Sequence, residues 1–339
     1  MIDSQPWETQ QAQEQFPVVY SILAPQALVS LILPHYHLGK ASSCQFWHRG
    51  LSDIYLLNIQ ERPYILRVSH HHWRSRSEIA FELELLDFLA QNDIPVAYPL
   101  KTKEGNLFIE INAPEGIRHV SLFVYAPGTV ALGDLNATQS YLLGETVAKL
   151  HQVAREFCSA FYRPPLTLDY LLDDSLALIA PFLEGRPQDL SLLLQIATQI
   201  KQRLKDLPKE PPYWGICWGD PHSGNVHFTL DHQITLFDFD QCGYGWRMFD
   251  IAKFWQVSLQ TGLSKSIREA FLAGYQAHET ITDLELASLQ TLTQTAYIWA
   301  WAISLSATRL YDYSRLDKSY FNQRLERLKC LNSQDWQLF

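Results

Sequence analysis

The longest apolar stretch near the start of this chain, Val18 to Leu33, is broken by Pro25 and Gln26 and falls short of the ~20 apolar residues a spanning helix requires. The opening residues, MIDSQPWETQ, have neither a basic segment nor an adjoining apolar core, so no secretory signal is expected, and residues 1 to 15 read as a polar, mobile lead-in. Cysteine is sparse. The five present, Cys44, Cys158, Cys217, Cys242 and Cys330, are scattered, odd in number and without a C-x-x-C pair, which argues against both a disulfide framework and a zinc site. Basic runs are missing too, and the net charge is −9, so neither nucleic acid nor an anionic membrane is expected as a partner. These absences predict a soluble protein of a reducing cytoplasm. What the chain has in quantity is core material: 47% of its 339 residues are apolar, with 10 Trp, 16 Tyr and 17 Phe, enough for one large or two modest domains.

The chemistry concentrates between Tyr213 and Ala252. Trp214, Ile216 and Trp218 alternate before a polar loop, Val226 and Phe228 follow it, and Ile234, Leu236 and Phe237 form the next apolar run, so strands flank the loop. Asp220 and Asn225 stand five apart, a spacing that proves little alone because Asp53/Asn58, Asp87/Asn92 and Asp317/Asn322 share it. The context is more telling. A tight turn, Thr229 to Gln233, folds the chain back so that Asp238-Phe239-Asp240 comes beside Asn225. Mg²⁺ takes oxygen ligands and keeps several waters, so Asn225, Asp238 and Asp240 are the candidate metal ligands, with nucleotide phosphates completing the shell. That leaves Asp220 as a base for a substrate hydroxyl.

The sequence G-D-x-H-x-x-N, then F-D-F-D, then G-x-G-x-x-x-x-D-I-A resembles the protein-kinase-like phosphotransferases that include aminoglycoside phosphotransferases, choline kinases and type II homoserine kinases. The resemblance implies that Asp220 is the catalytic base, His222 the loop histidine, Asn225 and Asp238 the magnesium ligands and Asp250 a structural carboxylate. Trp218 departs from the pattern, standing where the family usually has His.

Earlier in the chain, Ser43 to His48, Asp53 to Ile59 and Tyr64 to Val68 read as an antiparallel meander. Its first turn, H-R-G-L-S-D with Gly50 and Ser52, has a single glycine and reads alone as a plain hairpin, with a cover over phosphates as the alternative. Arg67 stands where kinases carry the phosphate-pairing Lys; its planar fork suits bidentate phosphate binding. A helix from about Arg74 to Gln91 follows, with Ile79, Leu83, Leu86 and Ala90 on a face expected to pack on the sheet. Counting back from I-P-V-A as the family does makes Glu82 the partner of Arg67, ahead of Glu78 and Glu84. The intervening His70-His71-His72 reads as a solvated turn. Tyr98 to Lys103, Leu107 to Ile111 and His119 to Tyr125 alternate as strands, giving a sheet of five or six. Ala126-Pro127-Gly128 then breaks the pattern, and the resemblance implies that the backbone here, with Phe123, Val124 and Tyr125, meets adenine.

Helices are predicted afterwards over Gln139 to Phe157, Leu166 to Leu183, Ser191 to Leu204, Met248 to Leu259, Ser264 to Ala277, Leu284 to Leu305 and Lys318 to Leu331. His151, Tyr297, Trp299 and Trp301 read as core. The expected fold is α+β and two-lobed, protein-kinase-like: a β-rich nucleotide lobe over residues 1–124 and a helical lobe over 125–339. The expected function is Mg²⁺-dependent transfer of the γ-phosphoryl of ATP to a hydroxyl of a small molecule, which the resemblance implies is amino-alcohol, homoserine-like or aminoglycoside-like. A protein Ser/Thr kinase and a catalytically silent scaffold are the alternatives.

Overall fold

The computed structural model describes residues 17–131 and 135–338, so the polar lead-in lies outside the described residues. A five-stranded antiparallel sheet is built from β1 (Ala41–Arg49), β2 (Ser52–Ile59), β3 (Arg62–Ser69), β4 (Ile109–Ala113) and β5 (Gly116–Val124), in the order β1-β2-β3-β5-β4. Strict alternation in β2 sends Tyr55, Leu57 and Ile59 to one face, where Leu66, Val68, Val120 and Leu122 join them under α1 (Pro25–Ile32). The segment before α1 is stitched across this lobe. Tyr20 donates to Asp53, Ser21 Oγ to Glu115 at 2.6 Å, Arg118 to the Ser21 carbonyl at 2.8 Å, and Tyr55 to that of Leu23 at 2.8 Å.

Tyr98 to Lys103 is not a strand. A single bridge, Pro99 with Phe123, pairs it to β5, flanked by the Leu100 amide on the Leu122 carbonyl at 2.7 Å and the Val124 amide on the Tyr98 carbonyl at 3.1 Å. The histidine triplet is likewise not all solvated: His71 and His72 are exposed, but His70 is buried with Nε2 3.3 Å from Asp53 Oδ1.

α2 (Arg76–Gln91) starts at a capping box in which Ser75 and Glu78 satisfy each other's backbone amides. Ile79, Phe81, Leu83, Leu85, Leu86 and Leu89 are all buried, so α2 is enclosed rather than packed by one face. Phe81 and Phe88 meet Phe157, just past α3 (Ala137–Val153), which places α2 in the core of the helical half.

The predicted helix over Leu166 to Leu183 is instead a π-turn at Asp169–Asp173, α4 (Asp174–Ile179) and a 3₁₀ turn at Ala180–Leu183; Pro181 cannot continue α geometry. The remaining helices are α5 (Pro187–Leu204), α6 (Met248–Thr261), α7 (Lys265–Gln276), α8 (Asp283–Tyr311) and α9 (Lys318–Leu331). Trp299, Trp301 and Tyr297 on α8 are buried.

Between α5 and α6 lie four short strands. β6 (Trp214–Cys217) pairs with β9 (Gly243–Trp246), and β7 (Val226–Phe228) with β8 (Ile234–Leu236). The β7–β8 hairpin is held from both sides. Leu236 exchanges backbone hydrogen bonds with Pro95 and Ala97 (2.8 and 2.9 Å), and Phe228 does so with Thr129 (2.9 and 3.1 Å). The segments on either side of β4 and β5 thereby lock the hairpin against the sheet.

Candidate active site

Asp220 follows Gly219, whose φ of +89° is a left-handed value; a Cβ there would lie 2.1 Å from the Gln241 carbonyl. The bend is fixed by Asp250 on α6, which accepts from the Trp218 and Gly219 amides at 2.8 and 2.7 Å. His151 Nε2 lies 2.8 Å from the same carboxylate, and His151 Nδ1 lies 2.8 Å from the Tyr275 hydroxyl. Asp250 and His151, which with Cys217 form a buried cluster, are thus engaged with the chain itself.

Lys253, one turn further along α6, puts Nζ 3.3 Å from Asp220 Oδ1 and is itself buried. His222 Nδ1 accepts from the Gly224 amide at 2.9 Å, which assigns the proton to Nε2, 3.6 Å from Asp220 Oδ2. Burial pushes the Asp220 carboxyl up, but Lys253 and then His222 outweigh it and hold it well below its ordinary value. Asp220 is therefore an ionised carboxylate that can accept a proton, and His222 supports it. Asn225 donates Nδ2 to Asp220, at 3.1 Å to the carbonyl and 3.3 Å to the carboxylate, which leaves its Oδ1 as an acceptor.

The Phe237 amide donates to the Asn225 carbonyl at 3.0 Å, bringing Asp238 alongside. Asp238 has φ +58°, uncommon for a residue with a side chain, and Trp218 Nε1 donates to its carbonyl at 3.0 Å while the indole stacks on Phe239. Burial and then the charges of Asp240 and Asp220 push the Asp238 carboxyl up to about 7. Such a crowd of buried carboxylates is short of positive charge. The donor set fits a hard divalent cation, with Asn225 Oδ1 and the Asp238 carboxylate as its protein ligands. Asp240 is tied differently: its Oδ2 accepts from Trp73 Nε1 at 2.7 Å and from Arg74 at 3.4 Å, and its carbonyl from Arg74 and Arg163. Those arginines, with Arg67, hold its carboxyl below the ordinary value against the effect of burial. Metal ligation by Asp240 would fall to its other oxygen, Oδ1.

A cavity of about 490 Å³ opens between the sheet and the hairpin, lined by Gly50, Ser52, Arg67, Glu82, Asn225, Asp238 and Asp240 and by Phe123, Val124 and Tyr125. Arg67 and Glu82 form a bidentate pair at 2.6 and 2.9 Å. The Gly50 amide is spent on the Ser52 carbonyl at 3.0 Å, which closes the β1–β2 turn. At the connection between the halves, the Val124 amide donates to the Tyr98 carbonyl, and His227 Nδ1 to that of Ala126 at 2.7 Å. A second cavity, of about 460 Å³, meets the first at Gly50 and Leu51 and has Asp220 and Lys253 in its wall.

Lys253, Arg74, Arg163, Trp73 and His227 were not singled out from the sequence. Lys253 carried a signal, a lone cation in the apolar run M-F-D-I-A-K-F-W; the others are tied to the site only across long separations.

The profile of the phosphotransferase enzyme family matches residues 44–287. An uncharacterized protein of Synechocystis sp. is 59% identical over 328 residues, covering 97% of this chain and 91% of that protein. Among solved structures, a microcompartment-associated aminopropanol kinase superposes with a TM-score of 0.75 at 22% identity, covering 92% of this chain and 97% of that one. An amicoumacin kinase in complex with AMP-PNP, Ca²⁺ and amicoumacin gives a TM-score of 0.74 at 22% identity, covering 89% and 92%. Their likeness establishes a kinase-like α+β fold.

Proposed function

The chain belongs to the phosphotransferase enzyme family, and from that premise we propose that it transfers the γ-phosphoryl group of ATP to the hydroxyl of a small molecule, with Mg²⁺ as the divalent ion. The observation that carries this reading is the position of Asp220: an ionised carboxylate at the wall of one cavity, bonded through Asn225 to the ligand set of the other. A hydroxyl in the second cavity would thus face a phosphate in the first. The similar amicoumacin kinase, solved in complex with AMP-PNP and Ca²⁺, agrees with a nucleotide and a divalent ion.

In this reading Arg67, oriented by Glu82, binds phosphate oxygens through its planar fork, and the β1–β2 turn covers them. Asn225 and Asp238 hold the ion, which when bound neutralises negative charge on the phosphates. Asp220 orients the acceptor hydroxyl. As the acceptor oxygen bonds to the γ-phosphorus and the bond to the ADP oxygen breaks, the hydroxyl proton passes to Asp220. Positioning carries most of the catalysis, and the Asp250 clasp, Lys253 and His222 supply it.

A protein acceptor is less well served. Only FDQCGYGWRMF separates Asp238 from Asp250, and the structure spends that stretch on β9, which is paired with β6, before α6 begins. A docked peptide needs a groove or a free edge. The silent-scaffold reading has to explain why Asp220, Asn225 and Asp238 are all present and assembled. The test is γ-labelled ATP with a panel of alcohols: Asp220→Asn is expected to keep nucleotide affinity and to lower transfer by ~10²-fold or more. A fully active variant would remove Asp220 from the mechanism, and labelled protein with no labelled alcohol would favour the protein-kinase reading.

A further inference from the structure

The second cavity has an unusual balance of chemistry. Its long wall is one face of α8, where Trp299, Ile303 and Ala307 recur at four-residue spacing. From Leu286 to Tyr311 this helix contains no Asp or Glu. Asp220 is the single carboxylate among the described residues lining the cavity, and its charge is already matched by Lys253 at 3.3 Å. The other charged lining residue, Arg49, is a cation whose guanidinium lies 3.5 Å from the Tyr20 ring centroid. On the far side, the Ser304 hydroxyl accepts from Arg324 at 3.2 Å, which puts a further cation behind the wall.

Among the described residues, an ammonium group leaving water for this cavity would meet no carboxylate beyond the one already paired with Lys253. A single aromatic ring does not compensate. Trp299 is 4% exposed and is held edge-on by Tyr170 and Phe249, so it is one wall and not an aromatic cage. Apolar surface, by contrast, is what Trp299, Ile303 and Ala307 offer, and about 460 Å³ is room for a drug-sized molecule.

We propose, on the reading that the acceptor hydroxyl lies beside Asp220, that the acceptor is an alcohol with an apolar body and no ammonium group. This sets the chain apart from amino-alcohol and polycationic acceptors.

The test measures binding separately from turnover. Three matched pairs of primary alcohols, with phenyl, cyclohexyl and octyl bodies, each differ only by an added ammonium; 3-phenylpropan-1-ol against 3-amino-3-phenylpropan-1-ol is one such pair. Calorimetric titration into the full chain with AMP-PNP and Mg²⁺ is expected to show the neutral member at least tenfold tighter. Ala307→Asp, which adds a carboxylate to the wall, is expected to narrow that preference by about tenfold. Ammonium members binding as tightly as the neutral ones, or no neutral alcohol binding, overturns the proposal. A neutral alcohol that binds as expected yet gains no phosphate from ATP upholds the ligand class of this cavity and counts against phosphoryl transfer as the reaction.

Discussion

Replacing Trp218 by Phe isolates one hydrogen bond. The indole is fully buried, stacks on Phe239 and donates to the Asp238 carbonyl at 3.0 Å. Phenylalanine keeps a ring on Phe239 and loses the donor. A buried carbonyl left short of its partner costs about 1–3 kcal/mol, and the smaller ring opens a void worth about 1 kcal/mol. The expected loss of stability is therefore about 2–4 kcal/mol. At roughly 2.1 cal/mol/K per residue, 339 residues unfold with about 0.7 kcal/mol/K, so the midpoint should fall by ~3–6 °C in calorimetry. A second readout concerns the site. Asp238 sits at φ +58°, a conformation of order 1–3 kcal/mol above the relaxed one, and the donor helps to hold it there. Release should weaken Mg²⁺-dependent nucleotide binding by about 5–30-fold, the equivalent of 1–2 kcal/mol, and leave metal-free nucleotide binding unchanged. Trp218→His, which keeps an N–H donor, should lose stability through the void while recovering most of that affinity. The reasoning is refuted if Trp218→Phe melts with wild type and binds Mg-nucleotide as tightly.

Asp238→Ala should abolish metal-dependent nucleotide binding and turnover together, since the ion loses its carboxylate; an unchanged metal titration would contradict that role. Arg67→Lys retains charge but not the bidentate pair with Glu82, so activity should be partly lost, and full activity would show that the fork is unused. Asp53→Asn breaks a fully buried ion pair with Arg118 at 2.7 Å and should destabilise by about 3–5 kcal/mol in urea titration. Burial raises the Asp53 carboxyl, but hydrogen bonds from His70, Arg118 and Tyr20 prevail and hold it below the usual value. Its folded pKa being depressed, its contribution is complete above the unfolded value of about 3.9 and lost as pH falls through the folded one. The gap between wild type and variant should hold near neutrality and close in acid; a gap that widens in acid would reverse the assignment.

The parts of the fold legible in the sequence are those set by local pattern. The meander, the body of α2 and the β7–β8 hairpin all announce themselves through period and turn residues, whereas the Ser75 cap that starts α2 does not. Tyr98 to Lys103 shows where pattern misleads: it alternates like a strand yet makes one bridge, because alternation reports two environments and not a ladder. β9 is not legible as a strand, because Gly243 and Gly245 make GYGW look like a loop and only pairing with β6 makes it a strand. Within the site, Asp220, Asn225 and Asp238 could be found together since one hairpin joins them. Lys253 and Arg163 could not be placed, for they reach Asp220 and Asp240 through the packing of separate elements. The acceptor wall is harder still. Trp299, Ile303 and Ala307 lie beyond the matched span of residues 44–287, so likeness to the family carries no information about what they hold.

The stitching of residues 20–23 across the sheet has a practical side. Cutting the chain back to residue 44, where the family match begins, would remove α1 and with it Leu28 and Ile32 from the smaller core. It would also take away the Tyr20 hydroxyl from Asp53, the Ser21 groups from Glu115 and Arg118, and the Leu23 carbonyl from Tyr55. Charged groups now sealed beneath that segment would meet water or lose a bond. The boundary drawn by homology and the boundary of the cooperative folding unit therefore do not coincide at this end. A shortened protein for crystallisation or display has to begin ahead of Tyr20.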